Sequence, residues 1–402
     1  MPVDVALKLR DRPAGRIRPQ LDGLHRVLAN RGDPQLDFPS ILIVGTNGKG
    51  STAVMLEAVL RAHGLATGLF TSPHLVRVEE RIRLDGAPVD STVLETHVGR
   101  FDDSPDLTYF ETLAAVAFSF FSESLVDVAI LEAGMGGSWD ATRLAESAIA
   151  GLTNVGSDHA GWLGDEPAAV ARDKGRALAA AEQAIIGSGI DETLVSELGA
   201  PAARRAESLV KCSDQGGGRV LVKWDGHETF VRLPLSGAFQ LDNLQLALAL
   251  ALVAADAGLI MSLDPSRVQA ALERVSWPGR LSLHLVKGRE VLMDCAHNLE
   301  AAEALARHLE RLDSRYNLLF SCLDDKPVEA MAAALKPHVG DVVLCPLDDP
   351  RAMSLERLTA AFPGAEIAQD PQSGLSRLRD PVLAAGSIRL VGTLFALAEA
   401  TP

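Results

Sequence analysis

The stretch Gly45-Thr46-Asn47-Gly48-Lys49-Gly50-Ser51-Thr52 carries the strongest local chemistry in the chain. Its glycines let backbone amides approach an anion closely. Residues 41–44 form a short, continuously apolar run, the pattern of a buried parallel strand. Residues 51–63 read as a helix that Gly64 ends. A glycine-rich turn between strand and helix presents amides and partial positive charge to phosphate oxygens. Lys49 adds a full charge at the terminal phosphates, and Ser51 can cap the helix or approach a metal ion. The spacing departs from the standard P-loop. Gly48-Lys49 follows Gly45 after two residues, and Gly50 separates the lysine from Ser51. The chemistry implied is a cradle for an ATP-type polyphosphate, with Thr46, Asn47, Gly48, Lys49, Gly50, Ser51 and Thr52 as its contacts.

A magnesium ion carried by ATP needs oxygen donors near the phosphates. Glu132 ends the apolar run 126–131 and precedes Gly134, Gly136 and Gly137. A carboxylate at the C-terminal end of a parallel strand points into the ligand crevice of an open α/β sheet. Asp158-His159 follows the run 148–153 in the same way, and Ser72, in Thr71-Ser72-Pro73-His74-Leu75, follows another apolar stretch. Taken singly, that histidine and that serine are ordinary loop residues.

The elements that must position these groups alternate between strand and helix. Helical spacing marks the opening segment to about Asp37 and residues 112–121 and 244–257. Strand patterns mark 41–44, 126–131 and 148–153, and a small antiparallel hairpin is expected from 220–224 and 229–233. Trp277-Pro278-Gly279 interrupts both patterns and marks a junction. Beyond it, 291–294, 318–322, 342–345 and 388–391 are expected strands separated by helices. The fold class is therefore α/β: a P-loop-containing, mainly parallel-sheet N-terminal domain over 1–278 and a smaller α/β C-terminal domain over 279–402.

Bulk properties agree. A chain of 402 residues suggests more than one domain. With 47% apolar and 23% charged residues it can bury a core. A formal charge of −15 excludes non-specific attraction to nucleic acid or an anionic membrane, so small molecules are the expected partners. The cysteines, Cys212, Cys295, Cys322 and Cys345, show no CxxC spacing, which points to reduced thiols and a cytoplasmic setting. The N-terminal residues lack the apolar core of a signal peptide. The run 246–255 is too short to span a bilayer and reads as a buried helix.

With these residues in view, the chain resembles the folylpolyglutamate synthase/dihydrofolate synthase family, within the wider Mur-ligase-like group. The resemblance rests on ordered motifs along nearly the whole chain. These are the 45–52 loop, the 71–75 loop with Glu80-Arg81, Phe110-Glu111, the 132–137 turn with Asp140 and Thr142, and Asp158-His159. Asp173-Lys174, Gln240 with Asn243, Pro278-Gly279-Arg280 and the 294–298 segment complete the series. The resemblance implies that ATP phosphorylates the carboxylate of a pterin or folate, and that the amine of L-glutamate displaces phosphate from the acyl phosphate. It implies Ser72 and Glu132 at the ATP-linked Mg²⁺, and Glu132, His159 and Lys174 at a second Mg²⁺, with Lys174 carbamylated. It places Asn243 at the adenine end, Arg280, Asp294 and His297 on the nucleotide and glutamate sides, and a monomer closing a cleft between domains. Ser72, Pro73, His74 and Phe110 resemble the pterin-side residues; Phe110 is equally readable as core.

Several positions depart from the family pattern: Gly175-Arg176-Ala177 after the lysine, Ser138-Trp139 and Arg143 after Gly137, Phe239 before Gln240, and Cys295 and Leu299 around Ala296-His297-Asn298. The phosphate and Mg²⁺ residues are retained. The altered loops leave room for a paralogous ligase that joins an amino acid to a different carboxylate, and a nucleotide binder without catalysis is a third reading. The latter has no use for a second metal site.

Overall fold

The protein is seen in a computed structural model that describes Leu9, Arg12, residues 21–156 and residues 166–399. The chain forms two compact units. The first holds the described residues up to Pro234 together with Gln240–Val275, and the second holds Leu235–Phe239 together with the residues from Ser276. The compact units divide at 275/276, three residues before the expected junction at 278/279. Leu235–Phe239 joins the second unit, where Phe239 packs on its apolar core.

In the first unit eight strands form one sheet. They are β1 (Ser40–Val44), β2 (Thr67–Phe70), β3 (Ile82–Leu84), β4 (Ala87–Pro88), β5 (Val128–Glu132), β6 (Ile149–Leu152), β7 (Gln183–Ile186) and β8 (Arg204–Arg205). Their order is β4-β3-β2-β5-β1-β6-β7-β8. The run from β2 to β8 is parallel, and β3 and β4 add an antiparallel edge. Period-2 geometry explains why the central strands read as unbroken apolar runs. In β1, Leu42 and Val44 enter the core on one face with Ala129 and Leu131 of β5. Ile41 and Ile43 enter the core on the other face with Val128 and Ile130.

Helices cover both faces. The helix α1 (Lys49–Ala62) follows the phosphate loop, and α2 (Tyr109–Glu123), α3 (Pro167–Ala180) and α4 (Gln240–Asp256) follow in the chain. Core residues of α2, such as Leu113 and Phe118, serve one face; those of α1 and α4, such as Met55 and Leu248, serve the other. α4 is buried along most of its length. Gly151 of β6 makes room for it, since a Cβ there would stand 2.7 Å from Leu250 Cδ1. The expected hairpin is present with an additional strand: β9 (Lys211–Asp214), β10 (Arg219–Trp224) and β11 (His227–Arg232) form a three-stranded antiparallel sheet. Of the expected opening helix, Asp22–Ala29 is helical and Pro34–Leu36 is a 3-10 turn.

The second unit carries β12 (Ser282–Val286), β13 (Arg289–Met293), β14 (Tyr316–Phe320), β15 (Val339–Leu344), β16 (Glu366–Ile367) and β17 (Val382–Ala385). Their order is β12-β13-β17-β14-β15-β16, parallel except for β12. One expectation fails here. Residues 388–391 are not a strand but the start of helix α6 (Ile388–Glu399), which follows α5 (Leu299–Leu309) in this unit. The last strand is β17. A short apolar run fits either element, and the deciding signal is local. The Ser387 hydroxyl accepts the Arg389 N–H at 3.1 Å, and its carbonyl accepts that of Val391, so Ser387 starts a helix. Among the described residues, no helix is long and apolar enough to cross a membrane.

Candidate active site

The parallel order brings four loops to the C-terminal edge of the first unit's sheet: those after β1, β2, β5 and β6. The loop after β1 is tightly defined. Gly45 has a φ of 151° and lies against Thr153, whose Oγ1 would be 1.8 Å from a Cβ at that position. Gly48, at φ 84°, is the N-cap of α1. Side chains are excluded there by Asn243 of α4, whose Oδ1 would be 2.3 Å from a Cβ. The first ladder bond of α1 runs from the Thr52 N–H to the Gly48 carbonyl at 2.9 Å. The N–H groups of Gly48, Lys49, Gly50 and Ser51 therefore belong to the four that open a helix without a ladder partner. They carry the positive end of the helix dipole.

Lys49 is half-buried. Its ammonium donates to the carbonyls of Gly45 (3.2 Å) and Thr46 (3.1 Å). Gln240 of α4 donates to Ser51 Oγ at 3.4 Å and accepts from Asn243 Nδ2 at 2.8 Å. Asn243, expected at the adenine end, thus stands against the phosphate loop itself. The Thr52 hydroxyl is fully buried and has no hydrogen-bond partner among the described residues.

Glu132, 5% exposed, is the last residue of β5 and is in register with Ile43 of β1. Its Oε2 accepts the Ser72 N–H at 3.0 Å, which joins the loops after β2 and β5. Lys174 lies on α3 and is 2% exposed; its Nζ donates to the Gly45 carbonyl at 2.9 Å. Its neighbour Asp173 accepts the Gly137 N–H at 2.7 Å and so pins the glycine turn beyond Glu132. Gly137 is pressed onto α3, where a Cβ would be 2.7 Å from Lys174 Cα. Asp140 accepts from the Met135 and Thr142 amides, and burial raises its pKa above the usual carboxylate range. Asp158 and His159 lie outside the described residues.

The 72–77 loop has its own scaffold. Glu80 accepts the amides of Leu75 (2.7 Å), Val76 (2.8 Å) and Arg77 (2.6 Å). Arg81 donates to His74 Nδ1 at 2.9 Å, with its guanidinium over the Tyr109 ring. Pro73 is exposed, whereas Ser72 and His74 are half-buried. Phe110 is half-buried too. Its ring lies tilted against Phe70, with centroids 5.6 Å apart, and covers Gly134. Glu111 closes a capping box with Thr108 at the start of α2.

In the second unit the loop after β13 holds the expected residues. Asp294 is 6% exposed, and its carboxylate accepts the Leu281 N–H at 3.0 Å and the Ala296 N–H at 2.8 Å. Burial raises its pKa, opposed by Arg280 and those two amides. Arg280 donates to the Gly279 carbonyl at 2.9 Å, and His297 Nδ1 bonds the Cys295 carbonyl at 2.8 Å. Asn298 caps α5 through the Ala301 amide. Burial pushes the Cys322 and Cys345 thiols up to about 12, leaving them protonated and unreactive.

One residue of the site carries no motif in the sequence. Asn154, just past β6, accepts the amides of Thr46 (3.2 Å) and Asn47 (2.9 Å) through Oδ1. Its signal is positional: a polar residue at the C-terminal end of the strand next to β1.

Comparison with known proteins shows the family of the chain. Residues 43–251 match the Mur ligase middle domain, and residues 279–391 match the Mur ligase glutamate ligase domain. A Mycobacterium tuberculosis protein named dihydrofolate synthase/folylpolyglutamate synthase is 34% identical, over 94% of this chain and 84% of its own. The Haloferax volcanii protein named "Probable bifunctional folylpolyglutamate synthase/dihydropteroate synthase" is 33% identical over 96% of this chain, which spans 48% of that longer protein. The structure of Mycobacterium tuberculosis folylpolyglutamate synthase complexed with ADP superimposes with a TM-score of 0.89 at 30% identity, covering 99% of this chain and 98% of that one. A bifunctional folylpolyglutamate synthase/dihydrofolate synthase with Mn, AMPPNP and L-glutamate bound gives 0.81 at 26% identity, covering 94% and 93%. The chain belongs to the folylpolyglutamate synthase/dihydrofolate synthase family of Mur-type ligases.

Proposed function

We propose that this protein joins L-glutamate to the carboxylate of a pterin-containing substrate, dihydropteroate or a reduced folate, at the expense of ATP. A carboxylate oxygen attacks the γ-phosphorus, the bond to ADP breaks, and an acyl phosphate forms. The glutamate amine then attacks the acyl carbon, phosphate leaves, and the amine proton is lost. What carries this reading is the convergence of the loop bearing Lys49 with Ser72, Glu132 and Lys174 at one edge of one sheet.

The difficulty of the first step is electrostatic, since an anion must approach a polyanion. Lys49 and the opening amides of α1 offset that repulsion, in a protein whose formal charge is −15. Hydroxyl and carboxylate oxygens suit magnesium, and the Ser72 backbone N–H already holds the Glu132 carboxylate beside that residue. They would hold the ion of ATP, and Glu132, His159 and Lys174 a second one. Magnesium, when bound, neutralises charge on the transferring phosphoryl group. A lysine ammonium is a poor neighbour for a cation. We assign Lys174 as a carbamate: the ammonium loses one proton, the free amine adds carbon dioxide with loss of a second, and the side chain changes from cation to anion.

Ser72, Pro73 and His74 are assigned to the pterin side, with Phe110 as the wall behind them. Arg280, Asp294 and His297 of the second unit are assigned to the nucleotide and to glutamate, and Asn243 to the nucleotide. The reading takes a monomer in the cytoplasm as the working form. Purified protein given ATP, Mg²⁺, L-glutamate and each pterin in turn will release ADP in step with amide formation. ADP release with no pterin in the panel, but with another carboxylate, would move the assignment to the paralogous ligase. No ADP with any carboxylate would remove it.

A further inference from the structure

The phosphate loop is laced to the segment after β6 by six hydrogen bonds within one unit. The Thr46 amide donates to both the Asn154 carbonyl (3.3 Å) and Asn154 Oδ1 (3.2 Å), and the Asn47 amide donates to Oδ1 at 2.9 Å. The Thr46 hydroxyl donates to the Gly156 carbonyl at 3.2 Å and accepts the Gly156 N–H at 2.9 Å. Thr153 Oγ1 donates to the Asn47 carbonyl at 2.6 Å. In an anion-binding turn, successive backbone amides converge on one anion. Here the first two are already taken by a neutral side-chain oxygen. The four that follow, Gly48 to Ser51, open α1 and carry its dipole.

We propose that Asn154 is a positioning residue for the nucleotide. By occupying the Thr46 and Asn47 amides it fixes the conformation in which Gly48, Lys49, Gly50 and Ser51 present theirs to phosphate. The proposal rests on the ATP-dependent reading above and adds a determinant of nucleotide affinity that lies outside the loop. A neutral amide suits this role, because it accepts two N–H bonds without placing a negative charge beside the polyphosphate. The buried Thr153 contact explains why Gly45 must lack a side chain, so strand β6 and the loop form one rigid seat.

The test is direct titration of Mg²⁺-ATP, with thermal melting measured on the same samples, for the parent, Asn154→Ala and Asn154→Asp. Asn154→Ala should raise Kd for ATP about tenfold or more with a small shift in melting temperature. Asn154→Asp keeps the acceptor oxygen but adds charge, so it should fall between the two, and added salt should move it toward the parent. At saturating ATP the Asn154→Ala enzyme should recover most of its kcat. A purely structural role would lower the melting temperature and leave Kd unchanged below it. If the parent binds ATP and Asn154→Ala binds it equally well, this proposal is overturned while the ligase reading stands. If the parent binds no ATP, both fall.

Discussion

Lys49→Ala loses ADP release, with kcat/KM falling by about 10³-fold or more, the scale seen when a positive group on a transferring phosphoryl is removed. The argument is one of placement. Lys49 is the first residue of α1, and its ammonium is held over the loop by the Gly45 and Thr46 carbonyls. No other lysine or arginine lies within residues 45–52. The ammonium also braces the loop, so Lys49→Gln is the informative companion. It keeps a donor for those carbonyls but no charge. Equal loss in both variants, with unchanged melting, assigns the effect to charge. Full activity in Lys49→Gln would reduce Lys49 to a brace.

Lys174→Gln is expected to lose about 10²–10³ in kcat, comparable to removing one preorganised electrostatic contact. The glutamine still reaches toward the Gly45 carbonyl as a donor, so the loop contact survives, but it cannot take up carbon dioxide. Parent enzyme stripped of carbon dioxide should lose activity in parallel and regain it on addition of bicarbonate, and the glutamine variant should be indifferent to both. The residue is 2% exposed on α3, so dependence on carbon dioxide would be slow to appear. A Lys174→Gln enzyme with parental kcat would make Lys174 a tether and nothing more.

Much of the first unit is legible in the sequence because its central strands are buried on both faces. A run such as 41–44 followed by glycines admits one reading, and Glu132 at the end of a second such run falls beside it. The phosphate loop and its helix follow from the same pattern. Legibility fails where local polar bonds decide the structure. Residues 388–391 have the apolar pattern of a strand, and only the bonds made by Ser387 turn them into the start of a helix. Asn154 carries no motif of its own; its importance appears only when β6 lies beside β1 and the two loops meet. Resemblance ties Asn243 to the adenine, whereas contact with Gly48 depends on α4 crossing above the loop. Phe110-Glu111 reads as one motif, yet Phe110 packs on Phe70 and Glu111 caps α2.

The altered positions cluster in a similar way. Arg143 donates to the Ser138 carbonyl at 2.7 Å and Arg176 to the Ser138 hydroxyl at 3.1 Å, so two of the departures from the family pattern meet a third. Gly175 is explained by backbone proximity: a Cβ there would stand 1.7 Å from the Leu198 carbonyl oxygen.

The central claim is that a carboxyl group is activated by phosphorylation before an amine displaces the phosphate. A pterin acceptor labelled with ¹⁸O in its carboxylate tests this in one turnover. Attack on the γ-phosphorus must leave one labelled oxygen in the inorganic phosphate released with ADP. Label appearing in AMP, with pyrophosphate as the other product, or unlabelled phosphate accompanying amide formation, would contradict it.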